Sequence, residues 1–136
     1  MLAFSLDDLQ FADAWIDGDD TARWRSATGH GPSSGARSSG SSLLEVPPGH
    51  RLPTHTDSAE ETIVVLAGVA EVRIGDETRR LPAGGLAVVP KCLEHEVRNA
   101  GSDTLRFAAV YAEPDVVTTY EAPVQPDGSP ERHTVS

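Results

Sequence analysis

The sequence predicts an all-β protein in which short antiparallel strands form a sandwich or a barrel. About nine short segments, apolar or alternating in polarity, follow one another at regular spacing. The chain contains 12 glycines and 10 prolines, a composition that suits short strands joined by tight turns. No segment carries a convincing helical pattern. At 136 residues the chain is long enough to build one domain around a real hydrophobic core.

The charge balance excludes two classes of partner. Eleven Lys and Arg residues stand against 21 Asp and Glu, which gives a net charge of −10. A surface of this sign repels phosphate backbones and anionic membranes, so nucleic acid and membrane surfaces are not expected partners. No apolar run approaches the ~20 residues that cross a bilayer, and no signal peptide is evident. These features and the single Cys92 predict a cytoplasmic protein.

The first twenty residues are expected to form an N-terminal arm. Residues 1–20 mix apolar side chains with many aspartates, and we expect the apolar ones to pack on the body of the domain. Ser5 and Asp8 have the spacing that caps one helical turn. After a short strand, residues 28–35 are rich in Gly and Pro and predict a loop that leaves His30 exposed.

The middle of the chain predicts a series of strands. Residues 61–67 and 86–89 have continuous apolar segments, which predict strands buried on both faces. Residues 69–74 alternate, which predicts one solvent-facing side, and a turn at Gly75 joins them to residues 78–81 as a hairpin.

The last part of the chain divides into two strands and a tail. Residues 95–98 and 105–112 predict strands. From Glu113 onward four prolines are expected to prevent regular structure, and the last dozen residues are expected to be mobile. The prolines are Pro114, Pro123, Pro126 and Pro130.

Four side chains form a candidate metal site. His55 and Asp57 are two residues apart, so on a strand they point to the same side. Glu61 follows a short turn and begins the next strand, and His95 lies about forty residues after His55. Together they offer two imidazoles and two carboxylates.

The spacing of these residues resembles the two motifs of the cupin superfamily. The first motif is Gly, five residues, His-x-His, three or four residues, Glu, six residues, Gly; here the matching residues are Gly49, His55, Asp57, Glu61 and Gly68. The second is Gly, five residues, Pro-x-Gly, two residues, His, three residues, Asn. Its matching residues are Gly84, Pro90, Cys92, His95 and Asn99. Asp57 replaces a histidine and Cys92 replaces a glycine.

The resemblance implies a single-domain jelly-roll β-barrel that holds one divalent metal ion. We expect the barrel to span residues 21–112, between the arm of residues 1–20 and a Pro-rich tail of residues 113–136. The resemblance also implies a homodimer. It implies a metal-dependent enzyme acting on a small organic molecule, as an oxygenase, isomerase, cyclase or lyase, because cupins include all of these.

The chemistry of the four residues supports the same expectation. His55 and His95 with a carboxylate and open positions suit Fe(II) or zinc, and the second carboxylate, from Asp57 or Glu61, favours harder ions: Fe, Mn, Ni or Zn. Asp57 is either a ligand or a catalytic general base. It also permits an alternative, in which the site is degenerate and the barrel is a non-catalytic module that binds a small ligand.

The remaining candidate residues are not expected to bind the metal or to take part in catalysis. Glu60 faces away from Glu61, and Cys92 is a small buried residue rather than a thiolate ligand or nucleophile. His50 is a surface residue, and His133 lies in the tail. Three aromatic residues either fill the core or line a pocket: Trp24, Phe107 and Tyr111.

Overall fold

The computed structural model describes residues 2–135, and the regular structure in that part of the chain is almost entirely β-sheet. It contains twelve strands and two single-turn 3-10 helices, Leu6–Asp8 and Pro32–Ser34. The strands are β1 Ala12–Ile16, β2 Asp19–His30, β3 Gly40–Val46, β4 Arg51–Asp57, β5 Glu61–Ala67, β6 Val69–Ile74, β7 Glu77–Pro82, β8 Leu86–Val89, β9 His95–Asn99, β10 Leu105–Tyr111, β11 Val116–Val124 and β12 Ser129–Val135. The all-β prediction is confirmed.

The strands form a nearly closed β-barrel with jelly-roll character. One continuous ladder runs β7-β6-β9-β4-β2-β3-β10-β5-β8, while β1 pairs with β2, and β11 pairs with β4 and β12. The pairings are antiparallel except where Ala22 of β2 meets Arg51 of β4. At that point the ladder passes from one sheet to the other, which brings the inner faces together around one core.

Alternating residues of the strands fill the interior. Trp24, Ile63, Leu105 and Phe107 are among the largest fully buried side chains. They come from β2, β5 and β10, neighbours or near neighbours in one sheet, and point toward the opposite sheet. Burial of apolar area on this inner face is the main force that closes the barrel.

The expectation that β5 and β8 are buried on both faces is wrong. In β5 only alternate residues are buried, and Leu66 is 40% exposed. In β8, Leu86 and Val88 are 57% and 51% exposed. A continuous apolar segment predicts a covering layer on both sides, but within residues 2–135 no further layer covers the outer face of these strands.

The prolines of the tail do not prevent regular structure, which corrects a second expectation. Strands β11 and β12 pair with each other, and Val124 and Val135 are buried. The β11–β12 register shifts between Thr119 and Val124, so Pro123 lies where the ladder is interrupted, and Pro130 has no partner in it. A proline lacks only the amide hydrogen, so it is tolerated at such positions.

The N-terminal region is partly as predicted. Ser5 and Asp8 form a capping box around the first 3-10 turn. The predicted loop over residues 28–35 begins too early, because β2 continues to His30 across a register shift at Gly29. His30 is half-buried and its ring contacts the hydroxyls of Ser39 and Ser41, at 2.9 and 2.6 Å, so it is not a free loop histidine.

Candidate functional site

The four predicted ligands converge inside the barrel. His55 and Asp57 lie on β4, Glu61 begins β5 and His95 begins β9, and all four are buried. The pairing of β4 with β9 places His55 opposite His95, with ring centroids 4.0 Å apart. One ligand atom from each of the four lies within 4.8 Å of all the others. This is a cluster that could hold a metal ion.

The distances within the cluster are short. His95 Nε2 is 2.9 Å from Glu61 Oε1 and 3.1 Å from Asp57 Oδ2, and His55 Nε2 is 3.8 Å from Asp57 Oδ2. The Asp57–His95 contact lacks hydrogen-bond geometry, so Asp57 Oδ2 is buried without a hydrogen-bond partner among the described residues. A buried carboxylate oxygen of this kind is costly unless something else binds it.

Both histidines are oriented by the backbone. His55 Nδ1 donates to the carbonyl oxygen of Pro53 across 2.7 Å, and His95 Nδ1 donates to that of Leu93 across 2.9 Å. These bonds leave both Nε2 atoms directed at the carboxylates. A carbonyl on the remote ring nitrogen is the usual arrangement for a metal-binding histidine, because it sets the tautomer and the ring orientation.

Asp57 is held from the C-terminal hairpin. Its Oδ1 accepts a hydrogen bond of 2.6 Å from the hydroxyl of Thr118 on β11. The Thr118 hydroxyl also contacts that of Thr134 on β12. Thr118 therefore fixes one oxygen of the carboxylate and turns the other toward the histidines.

Burial and mutual charge shift the pKa values of the cluster. Burial lowers the pKa of His55 to about 4 and raises that of Glu61 to about 7. Burial would lower the pKa of His95, but its interactions with Asp57 and Glu61 raise it to about 10. Burial would raise the pKa of Asp57, but His95 and His55 lower it. Without a metal, His95 therefore carries the positive charge that balances the carboxylates.

A cavity of about 310 Å³ opens above the cluster. Three of the ligands line it, namely His55, Asp57 and Glu61. The other lining residues come mainly from β2, β3 and the C-terminal hairpin: Gln10, Ala12, Ser26, Ala27, Thr28, Ser42, Leu44, Leu52, Tyr111, Thr118, Tyr120, Arg132, His133 and Thr134. The wall is mixed polar and apolar, as in sites for small molecules.

Two aromatic residues bring apolar surface to the site. Tyr120 lies opposite His55 in the β11–β4 pair, with ring centroids 5.3 Å apart, and its ring also contacts that of Trp24 at the same centroid distance. Tyr111 is paired with Glu61. Burial and the nearby carboxylates raise the pKa of both tyrosines, so their hydroxyls stay protonated at neutral pH.

Most of the other predicted candidates lie away from the ligands. Glu60 is exposed, as expected. Cys92 is exposed rather than buried and has φ 62°, and only its backbone amide approaches the site, by donating to the Asp57 carbonyl across 2.9 Å. His50 is half-buried, with an Nδ1 that lacks a partner within residues 2–135. Trp24 and Phe107 fill the core, whereas Tyr111 also lines the cavity.

The contribution of the C-terminal hairpin to the site was not predicted from the sequence. His133 was expected to be irrelevant, but it lies on β12 at the cavity, with its ring 3.0 Å from Asp115. Thr118 and Arg132, which also line the cavity, were not predicted to do so, and neither was Tyr120. Residues 116–120, Val-Val-Thr-Thr-Tyr, are all β-branched or aromatic, and this composition was the one signal for a strand there.

Fold and site together define a jelly-roll barrel with a buried histidine–carboxylate cluster. The family model described as a cupin domain matches residues 42–111, more than half of the chain. The chain therefore belongs to the cupin family, which confirms the resemblance. A search of curated proteins gave no significant match.

Solved structures show the same fold at low sequence identity. An oxalate decarboxylase from Lactobacillus farciminis, in a formate complex, is 20% identical with a TM-score of 0.73, over 87% of this chain and 35% of that one. An oxalate decarboxylase from Bacillus subtilis is 19% identical with a TM-score of 0.68, over 72% and 28%. The cupin domain of Schizosaccharomyces pombe Cnp3 is 18% identical with a TM-score of 0.67, over 82% and 74%. The chain thus spans about a third of the length of the decarboxylases.

Across residues 2–135, no helix has the length and apolar character needed to span a membrane.

Proposed function

We propose that this protein is a metal-dependent enzyme that acts on a small organic molecule. The observation that carries the proposal is the buried cluster of His55, Asp57, Glu61 and His95 beneath an open cavity. A small cavity of mixed polarity above a potential metal site is the arrangement that lets a substrate reach a metal with open positions.

The donor set fits a divalent ion. Two imidazole nitrogens and two carboxylates would supply a formal charge of −2, which neutralises such an ion. Two buried carboxylates in an apolar barrel are costly without one, and the orphaned Oδ2 of Asp57 is the atom that a metal would satisfy. Nitrogen and oxygen donors favour Fe, Mn, Ni or Zn over soft Cu(I).

The residues around the cluster would position the substrate and control its protons. A bound metal would supply Lewis-acid stabilisation of an enolate or alkoxide. Asp57 is the residue with two possible roles: it either completes the ligand set or acts as a general base beside it. Thr118 holds its carboxylate in one orientation, and Tyr120 excludes water from the side of His55.

Metal analysis of the native protein tests this proposal. Protein purified without chelator, then stripped and refilled with Fe, Mn, Ni or Zn, should hold about one ion per chain. Absence of metal after refilling would contradict the proposal. Asp57→Ala and Asp57→His separate the roles of Asp57, with exposed Glu60→Ala as the matched control. Metal retention with loss of turnover in Asp57→Ala identifies a base, whereas loss of metal identifies a ligand.

A second candidate function is a non-catalytic module that binds a small ligand. Asp57 favours it, because this residue stands where the motif has a histidine. Ligand-dependent thermal shifts without turnover would support this reading. The expected homodimer and cytoplasmic location are further proposals, and sedimentation of the purified chain tests the first of them.

A further inference from the structure

Arg132 is the one lysine or arginine among the residues that line the cavity. It lies on β12 directly opposite Thr118 of β11, and partners in an antiparallel pair project from the same face of the sheet. Thr118 in turn contacts Asp57. The side chain of Arg132 therefore lies on the same cavity wall as Thr118, one strand further from Asp57.

The charge of Arg132 is only weakly compensated. Within residues 2–135 its single ion pair is with Asp127, at 3.4 Å, and the side chains are 27% and 62% exposed. An ion pair on a solvated rim contributes little. The neighbouring His133, which also lines the cavity, turns its ring to Asp115 instead. The planar guanidinium thus keeps donors for a further acceptor.

Once a metal is bound, the interior of the barrel has no negative charge left to balance the positive charge of Arg132. The carboxylates of Asp57 and Glu61 would offset a divalent ion, so they would no longer offset Arg132. In a chain of net charge −10, a cavity that is locally positive selects anions.

We propose that the cavity binds a small organic carboxylate that pairs with Arg132 and directs its other end at the four ligands; this substrate class rests on the proposed function. A guanidinium matches a carboxylate through two parallel hydrogen bonds, which gives both orientation and selectivity. The volume of 310 Å³ is that of about ten liquid waters. The part of the ligand that the cavity encloses is therefore compact.

Calorimetric binding of matched carboxylates and amides tests the assignment. The probes are malonate, succinate, glutarate and benzoate with the corresponding amides, titrated into protein refilled with zinc. At least one carboxylate should bind and its amide should not. In Arg132→Gln the Kd should rise about tenfold or more, the usual effect of removing a charge-assisted hydrogen bond. Arg79→Gln, an exposed arginine on β7, should bind as the parent protein does.

A second variant changes binding in the opposite direction. Asp127→Asn removes the competing carboxylate from Arg132, so the same probe should bind about two- to fivefold more tightly, as expected for a rim ion pair. Equal affinity in the parent and Arg132→Gln overturns the proposal, and so does a panel in which no carboxylate binds. If Arg132→Gln does not fold, Asp127→Asn decides: tighter binding supports the proposal and unchanged binding overturns it.

Metal uptake, measured first in the same samples, separates this inference from the proposed function. Failure to take up metal contradicts both. Normal uptake without carboxylate binding contradicts only the role of Arg132.

Discussion

Thr118 Oγ1 donates to Asp57 Oδ1 across 2.6 Å, and this bond joins the C-terminal hairpin to the candidate metal site. Thr118 lies beyond residues 42–111, the part that the cupin family model matches. The bond explains how an aspartate, shorter than the histidine of the motif, is held in a defined orientation. The hairpin is thus part of the site rather than an appendage.

Thr118→Val should destabilise the metal-free protein. Valine keeps the shape but leaves the buried Asp57 Oδ1 without its donor, which costs about 1–3 kcal/mol. Urea unfolding of chelator-treated protein measures the change, and Thr118→Ser, which keeps the hydroxyl, should recover most of it. Equal stability of the valine and serine variants would show that the hydroxyl does not hold Asp57.

Asn99, the last residue of the second motif, has a structural role. Its Nδ2 donates to the carbonyl oxygens of Val46 and Asp103, both at 2.8 Å, and its Oδ1 accepts from the amide of Gly101 at 2.9 Å. It therefore ties the β9–β10 turn to the end of β3.

Asn99→Ala should lower the free energy of unfolding by about 2–4 kcal/mol, because several buried backbone groups lose a partner together. Metal affinity should stay within about twofold, since Asn99 contacts none of the four ligands. Denaturation of the metal-free protein and metal titration of the folded variant check the two parts. A large loss of affinity with unchanged stability would be the opposite result.

The candidate ligands were predictable because they are close in sequence or set by motif spacing. His55, Asp57 and Glu61 lie on adjacent strands joined by a short turn, where the two-residue period decides which side chains share a face. His95 was predictable from the second motif. Its position opposite His55 depends on the register between β4 and β9, which are not consecutive strands, so no hairpin turn fixes that register.

The C-terminal hairpin was not predictable in the same way. The four prolines predicted that no strand would form in this segment. Only the observed pairing of β11 with β12 shows that Pro123 and Pro130 lie where the ladder is interrupted.

The exposure of Leu86 and Val88 was also not predicted, for a related reason. Apolar composition predicts which residues avoid water, but whether another layer covers them depends on the tertiary arrangement.

Asp19 should make stability depend on pH in the acid range. Hydrogen bonds from Thr21 and Arg51 lower the pKa of Asp19 from 3.8 to about 2. A carboxyl whose folded pKa is depressed stabilises the protein above its unfolded pKa. This contribution is full above about pH 4–5 and is lost as the pH falls through 2.

The pH dependence is measured as a difference between variants, because other carboxyls titrate in the same range. Asp19→Asn should be less stable than the parent at pH 7, and the gap should narrow as the pH falls from 4 toward 2. Asp20→Asn, an exposed neighbour, serves as control and should show no such trend. A gap that is constant from pH 7 to pH 2 would contradict the role of the Asp19 charge.

Cys92 occupies a glycine position of the motif at a cost in backbone energy. Its φ of 62° is left-handed, a conformation that costs a residue with a Cβ about 1–2 kcal/mol. Glycine removes that cost but gains entropy in the unfolded chain, so Cys92→Gly should stabilise the protein by a smaller amount, about 0.5–1 kcal/mol. Cys92→Ala, which keeps the Cβ, should be nearly neutral.

Since only the Cys92 amide contacts the Asp57 carbonyl, metal binding should be unchanged in both variants. Chemical denaturation of the three proteins under reducing conditions decides the matter: equal stabilisation by glycine and alanine would mean that the thiol, not the backbone conformation, carries the cost.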